Sequence, residues 1–275
     1  MTNPFTWITV VVLLMLLVEV FAGRHRGVHS RDELLVNGLC ILLGVSVRPL
    51  LAAAVAMLIA VLLPAGRGAL SGLPFWPALL AIVLLAEFVN YWVHRWAHNA
   101  ERHPWLNWLW AFHRTHHTAP YMNVMLHFRV HFAWALVSGL TWVISLAIYL
   151  GQGVAAGVAV IIFGVYGVLT HSHFRWDDRL RAHPRYGRLF RAMEHVLVSP
   201  GIHHSHHGFG RDGGNYRNFG IFLSIYDWWF GTLHIPAGRP AHYGIPRRKL
   251  HWAEEVFYPL YRGRALAFAP GERRE

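Results

Sequence analysis

The chain has 275 residues, of which 55% are hydrophobic and 14% charged, and its mean hydropathy is +0.31. Soluble domains are about a quarter charged, so an ordinary soluble domain is excluded, and nucleic-acid binding is disfavoured because the net charge of +11 comes with long apolar runs rather than a basic face alone. The single cysteine, Cys40, excludes an intramolecular disulfide and a thiolate metal cluster, so a bound metal would have to be held by histidine, carboxylate or water.

Phe5 to Phe21 is the first apolar run, interrupted by Glu19. It lacks the basic start and small-residue cleavage site of a signal peptide and is read as a retained span. Arg24, Arg26 and Arg31 follow, placing that loop in the cytoplasm by the positive-inside rule. Leu34 to Leu63 is apolar except at Arg48-Pro49. About 20 residues cross a bilayer, so this run predicts a kinked crossing or two half-helices. Leu73–Val93, Phe132–Leu150 and Val154–Thr170 are further spans, the last two joined by a short Gly-Gln-Gly turn. The sequence thus predicts an all-α integral membrane bundle of four to five spans with a cytosolic, histidine-rich helical cap. Its expected divisions are N-terminal spans over 1–86, a histidine-rich core over 87–235 and a basic C-terminal tail over 236–275. The aromatic and arginine-rich stretch after His171 suits either the membrane interface or a small cytosolic layer.

Three histidine clusters punctuate this pattern: His94 and His98 as HxxxH; His113, His116 and His117 as HxxHH; and His203, His206 and His207 as a second HxxHH. Counting crossings from the basic loop puts all three on the cytoplasmic side. At about 100° per residue, His94 and His98 share a helix face with Glu87 and Asn90, and each HxxHH set spans an arc of about 100°. His204 falls outside that arc. Glu87, inside a span, could ligate metal or accept the remaining N–H of a ligand imidazole; the second role is preferred, with no separate catalytic residue beyond the metal centre. Eight imidazoles exceed the needs of one tetrahedral site and point to two metals. His171 emerges from the last span at the same depth and is a ninth candidate, with His173 an alternative. His127 and His131 form another HxxxH that interfacial anchoring explains as well as metal does. His103, His195, His234, His242 and His251 are read as surface or packing residues, and His25 and His29 as part of the basic loop. Imidazole suits iron, zinc and copper alike, so a membrane oxygenase, a membrane zinc hydrolase using metal-bound hydroxide and a divalent-metal transporter all remain open on spacing alone.

The stretches EFVNYWVHRWAH, WAFHRTHHTAPYMN, THSHFRW, SPGIHHSHHG and NFGIFLSIYDWWFGTL, running from Glu87 to Leu233, resemble the fatty acid hydroxylase/sterol desaturase superfamily of integral membrane oxygenases. The resemblance implies two iron ions (a non-haem di-iron centre), O2 as oxidant and a lipid C–H bond, sterol- or fatty-acyl-like, as target of hydroxylation or desaturation. By position it implies His94, His98, His113, His116, His117, His171, His203, His206 and His207 as ligands. Glu87 stands where the family has an acidic residue. His173 stands where many members have Asn, which leaves a tenth ligand open. The resemblance further implies a separate electron donor, such as a ferredoxin or a cytochrome b5-like protein with its reductase, which the basic cytosolic face would attract if it is acidic.

Overall fold

The computed structural model describes residues 4–214, 216–245 and 250–262. Within them the regular structure is helical apart from one two-stranded antiparallel ladder of two residues each, Gly208–Phe209 with His242–Tyr243, and an isolated bridge between Leu197 and Leu223. The helices are α1 (Pro4–Phe21), α2 (Arg31–Ser46), α3 (Arg48–Leu62), α4 (Phe75–His98), α5 (Asn107–His117), α6 (Trp134–Val137), α7 (Gly139–Tyr149), α8 (Gly153–His171), α9 (Trp176–Arg181), α10 (Gly187–Glu194), α11 (Pro200–His207), α12 (Ile225–Trp229) and α13 (Trp252–Phe257).

By length and composition, α4 and α8 can each cross a membrane, and the α2–α3 pair makes a third candidate span, bent by 40° at its break. Over the run 34–63, where the sequence predicts a kinked crossing or two half-helices, the chain forms two helices that meet at Val47, ahead of Arg48 and Pro49. The stretch from Ile8 to Phe21 in α1, and α7, are shorter apolar helices. The run 132–150 is not one helix. It breaks at Ser138, whose ψ of 126° is not helical, leaving the four-residue α6 and the eleven-residue α7. The residue after the break is a glycine for a steric reason. Gly139 lies so close to α4 that a Cβ there would sit 2.4 Å from the Asn90 nitrogen, and only a residue without a side chain allows that backbone approach.

The buried face of α4 explains how the bundle carries its site. Ala78, Leu79, Ile82, Val83 and Ala86 recur at helical spacing and pack against α7 and α8, which contribute Val143, Ala147, Ala155, Ala156 and Ala159. Along the same stripe the chemistry then changes to Glu87, Asn90, His94 and His98, all buried. One helix thus runs from apolar core into a polar centre without changing face.

The first helix is fastened to that centre by Glu19, which is fully buried. Its carboxylate accepts the backbone N–H of Val124 at 3.1 Å and of His173 at 2.7 Å and meets His25 Nε2 at 2.9 Å. Part of the expected C-terminal tail, 246–249 and 263–275, lies outside the described residues. α13 packs on α2 and α5, and its Glu254 and Glu255 pair with Arg114 and Arg129.

Candidate metal centre

The nine histidines singled out in the sequence converge at one end of the bundle in two groups. His94, His98, His113, His117 and His206 form one, and His116, His171, His203 and His207 the other; within each group the ring nitrogens lie within 4.8 Å of one another. Helical spacing explains the division. In each HxxHH motif the first and last histidines, one turn apart, enter the same group, and the middle one crosses to the other. α5 therefore gives two imidazoles to the first group and one to the second, and α11 does the reverse.

Backbone carbonyls set the ring tautomers. The Nδ1–H of His94 donates to the Phe219 carbonyl and that of His206 to Arg217, both at 2.7 Å. His116 donates to Arg129 at 3.2 Å and His171 to Gly167 at 2.6 Å. A carbonyl only accepts, so the proton of each neutral ring sits on Nδ1, and Nε2 presents a lone pair to the centre. The Nε2 atoms of His94 and His206 are buried with no partner among the described residues. Those of His116 and His171 face each other at 3.2 Å, two lone pairs with no proton to share. His117 Nε2 lies 3.2 Å from His98 Nε2 and 3.0 Å from His113 Nε2, and His203 Nε2 lies 2.9 Å from His171 Nε2 and 3.2 Å from His207 Nε2. One proton per ring cannot satisfy these convergent contacts, whereas a cation at the focus of each group would satisfy them at once. Burial, reinforced by the neighbouring imidazoles, holds His113, His117, His203 and His207 well below the usual histidine pKa, so the rings are neutral donors at neutral pH. This donor set fits a pair of transition-metal cations.

Two carboxylates stiffen the loop behind His94. Glu87 Oε1 accepts the backbone N–H groups of Ile221, Phe222 and Leu223 at 2.7, 3.1 and 3.2 Å. Asp227 accepts those of Phe219 and Gly220 at 2.8 and 2.7 Å. Glu87 thus makes no hydrogen bond to a histidine in this structure. It holds the loop whose Phe219 carbonyl orients His94, one step further out than the direct imidazole contact expected from the helix face.

The remaining histidines lie outside both groups. His204, which falls outside the helical arc of its neighbours, has both ring nitrogens engaged, by Tyr243 Oη and the Ser172 carbonyl, each at 3.0 Å. His173 is tied through its backbone N–H to Glu19, and its Nδ1 has no partner among the described residues; neither group includes it. The His127 ring lies 5.5 Å from that of His171, and His131 Nδ1 accepts the Ala133 N–H.

Residues that hold the two HxxHH helices do not stand out in the sequence as the histidines do. α11 begins with Ser199 capping the Ile202 N–H and Pro200 at the first helical position, a start signal legible in the SPG triplet. Asp177 accepts the Gly201 N–H at 2.6 Å. Arg129, whose carbonyl orients His116, is itself fully buried between Glu33 and Glu255; nothing in its local sequence marks it.

The sequence profile of the fatty acid hydroxylase family matches residues 79–232, a stretch that contains all nine histidines, and the chain belongs to that family. It is 27% identical over 192 residues to an alkylglycerol monooxygenase of Danio rerio. That alignment covers 67% of this chain and 36% of the relative, so the chain spans little more than a third of that protein's length. No solved structure matches.

Proposed function

We propose that the protein is a membrane-bound di-iron oxygenase that uses O2 and two electrons to hydroxylate, or desaturate, a C–H bond of a lipid. The observation that carries this reading is the pair of all-imidazole groups with lone pairs converging on two foci. The family and the alkylglycerol monooxygenase relative support an enzyme of the lipid hydroxylase type. His94, His98, His113, His117 and His206 would hold one iron, and His116, His171, His203 and His207 the other. When bound, such a pair supplies activation of O2 for attack on an unactivated C–H bond, the step protein side chains cannot perform.

The chain's own residues contribute placement. The carbonyls of Phe219, Arg217, Arg129 and Gly167 fix four rings in the tautomer that directs Nε2 inward. Glu87 and Asp227 keep the 219–223 loop from relaxing. Trp134 and Trp110 pack on His113 and His98 with ring centroids 4.6 and 5.1 Å apart, narrowing water access to the first group. A multi-pass arrangement with the centre on the cytoplasmic side, and electrons from a reduced ferredoxin or cytochrome b5-like donor with its reductase, complete the reading.

The test is purification in lipid, metal analysis and O2 consumption with a donor system, alongside lipid profiling of cells with and without the gene. Iron in the preparation, iron-dependent O2 uptake, and a lipid gaining one oxygen or losing two hydrogens are expected. Full activity of a protein loaded only with zinc would overturn the reading in favour of a hydrolase.

A further inference from the structure

The buried and half-buried arginines fall into two kinds. Arg114 pairs with Glu254 at 2.7 Å, Arg129 with Glu33 and Glu255, Arg181 with Asp177, Asp178 and Glu194, and Arg239 with Asp177 and Asp178. Arg48 has no carboxylate partner among the described residues. Its Nη2 donates to the Val130 carbonyl, and its Nε is buried without a partner. The titratable groups near it are Cys40, His127 and His131, a thiol and two imidazoles that carry no negative charge to offset it. Half-buried, with its Nε shielded from water and no carboxylate against it, this guanidinium keeps an uncompensated positive charge beside apolar surface, and an ionisable group in such a setting is a candidate functional site.

Its position is as informative as its lack of a partner. Arg48 opens α3 at the bend of the α2–α3 pair, and α3 packs on α6. The Trp134 ring at the start of α6 lies against His113. Adjacent carbonyls serve the two systems: Arg129 orients His116, and Val130 receives Arg48. The guanidinium is therefore one peptide away from a residue that holds a candidate ligand. Gly44, one turn earlier, has no side chain to crowd it; a Cβ there would touch the guanidinium carbon at 3.6 Å. The flanking apolar side chains Val45 and Leu50 are 70% and 68% exposed. An anion that carries an apolar chain can lay that chain on this surface while its charge meets Arg48.

We propose that Arg48 binds the anionic headgroup, phosphate or carboxylate, of a single-chain lipid that lies along α3, and that the lipid oxidised at the histidine centre is of this anionic class. The binding site stands on Arg48 and its surroundings; that its occupant is the substrate rests on the oxygenase reading. The planar fork of arginine suits a phosphate or carboxylate better than a lysine would.

The experiment compares three radiolabelled probes with the same oleoyl chain, namely lysophosphatidate, oleate and the neutral monoolein. Each is bound to the full-length protein in phosphatidylcholine nanodiscs, with protein-free discs subtracted. The wild type is expected to hold the two anionic probes about tenfold more tightly than monoolein. R48Q is expected to abolish that preference without weakening monoolein, and R48K to keep part of it. Equal affinity of the wild type for charged and neutral probes overturns the proposal whatever the variants do, and so does an unchanged preference in folded R48Q. Labelled inorganic phosphate retained as well as lysophosphatidate would overturn the lipid assignment in favour of a free-anion site. Binding is read without turnover, so the two readings fail separately. Charge-selective binding with no O2 uptake on any lipid defeats the oxygenase and leaves the site, whereas O2 uptake with indifferent binding defeats the site and leaves the oxygenase.

Discussion

The two HxxHH helices carry the same motif in different settings. α11 is buried along its whole length, and what holds it is nearby in sequence. Asp177 is gripped by Arg181 and Arg239, Glu194 accepts from Arg181 and from the Ser199 hydroxyl, and Ser199 caps the helix. α5 is held from a distance. Arg129 donates to the Thr115 carbonyl and Thr118 hydroxyl and pairs with Glu255, while Thr115 donates to the Glu255 carbonyl and Arg114 pairs with Glu254. α11 is thus set by a local knot and α5 by a strap more than a hundred residues downstream. Yet each helix feeds both histidine groups, so two different anchors position one centre.

Substitutions on the two helices and their anchors put this contrast at risk to different degrees. The largest effect is expected for His116→Ala and His206→Ala, which remove the imidazole each helix sends across to the other's majority group. Activity should fall to background, and metal analysis should show loss of at least part of the metal. Retention of both ions by the His206 variant would show that the crossed arrangement is unnecessary. Next come the anchors. Glu255→Gln and Asp177→Asn each leave buried arginine charge less compensated and should destabilise the protein by about 3 kcal/mol, read as a lower midpoint of thermal unfolding. Both should weaken the two metal equivalents together, by about 10- to 100-fold, in a chelator titration. Loss of one equivalent only would mean that the groups are mechanically independent.

Gly201→Ala probes the α11 side alone. A Cβ at Gly201 would lie 2.7 Å from the Arg181 and Arg239 guanidiniums and the Asp177 carboxylate. Overpacking of this kind costs about 1–3 kcal/mol, measurable by the same unfolding midpoint. The smallest effect is expected for Ser199→Ala, which removes the helix cap and a hydrogen bond to Glu194, at about 1 kcal/mol. If it exceeds the Asp177 variant, the cap rather than the ion network sets α11.

The histidines are legible in the sequence because imidazoles at helical spacing keep their meaning once the helix forms. The same holds for the polar end of α4, where Glu87, Asn90, His94 and His98 share a stripe. Less legible is anything carried by the backbone. The carbonyls of Arg217 and Phe219 orient two rings but belong to residues whose own side chains point to other roles. The break at Ser138 has a local mark in the Ser138-Gly139 pair, but the close approach of Gly139 to Asn90, far apart in sequence, shows only in the fold. The anchoring of α5 is hidden for a similar reason. Glu255 sits in a segment whose overall composition is basic, and only the folded chain places it against Arg129. For Glu87, helical angle gives the face of the residue but not what packs against it, so the sequence suggests a direct imidazole contact where the fold supplies a loop.

Glu19 has a consequence for the order in which the molecule is assembled. Its partners at Val124 and His173 lie 105 and 154 residues downstream, and α1 packs along α8. Synthesis runs toward the C-terminus, so α1 is made with a carboxyl group that has only the nearby His25 to meet until much of the following chain has been added. Its final seat exists only once α8 has been made and the loop beyond it has turned. α1 therefore waits for its seat until α8 and the loop after it exist, and an interruption of synthesis before His173 leaves the Glu19 carboxyl without its full set of backbone donors.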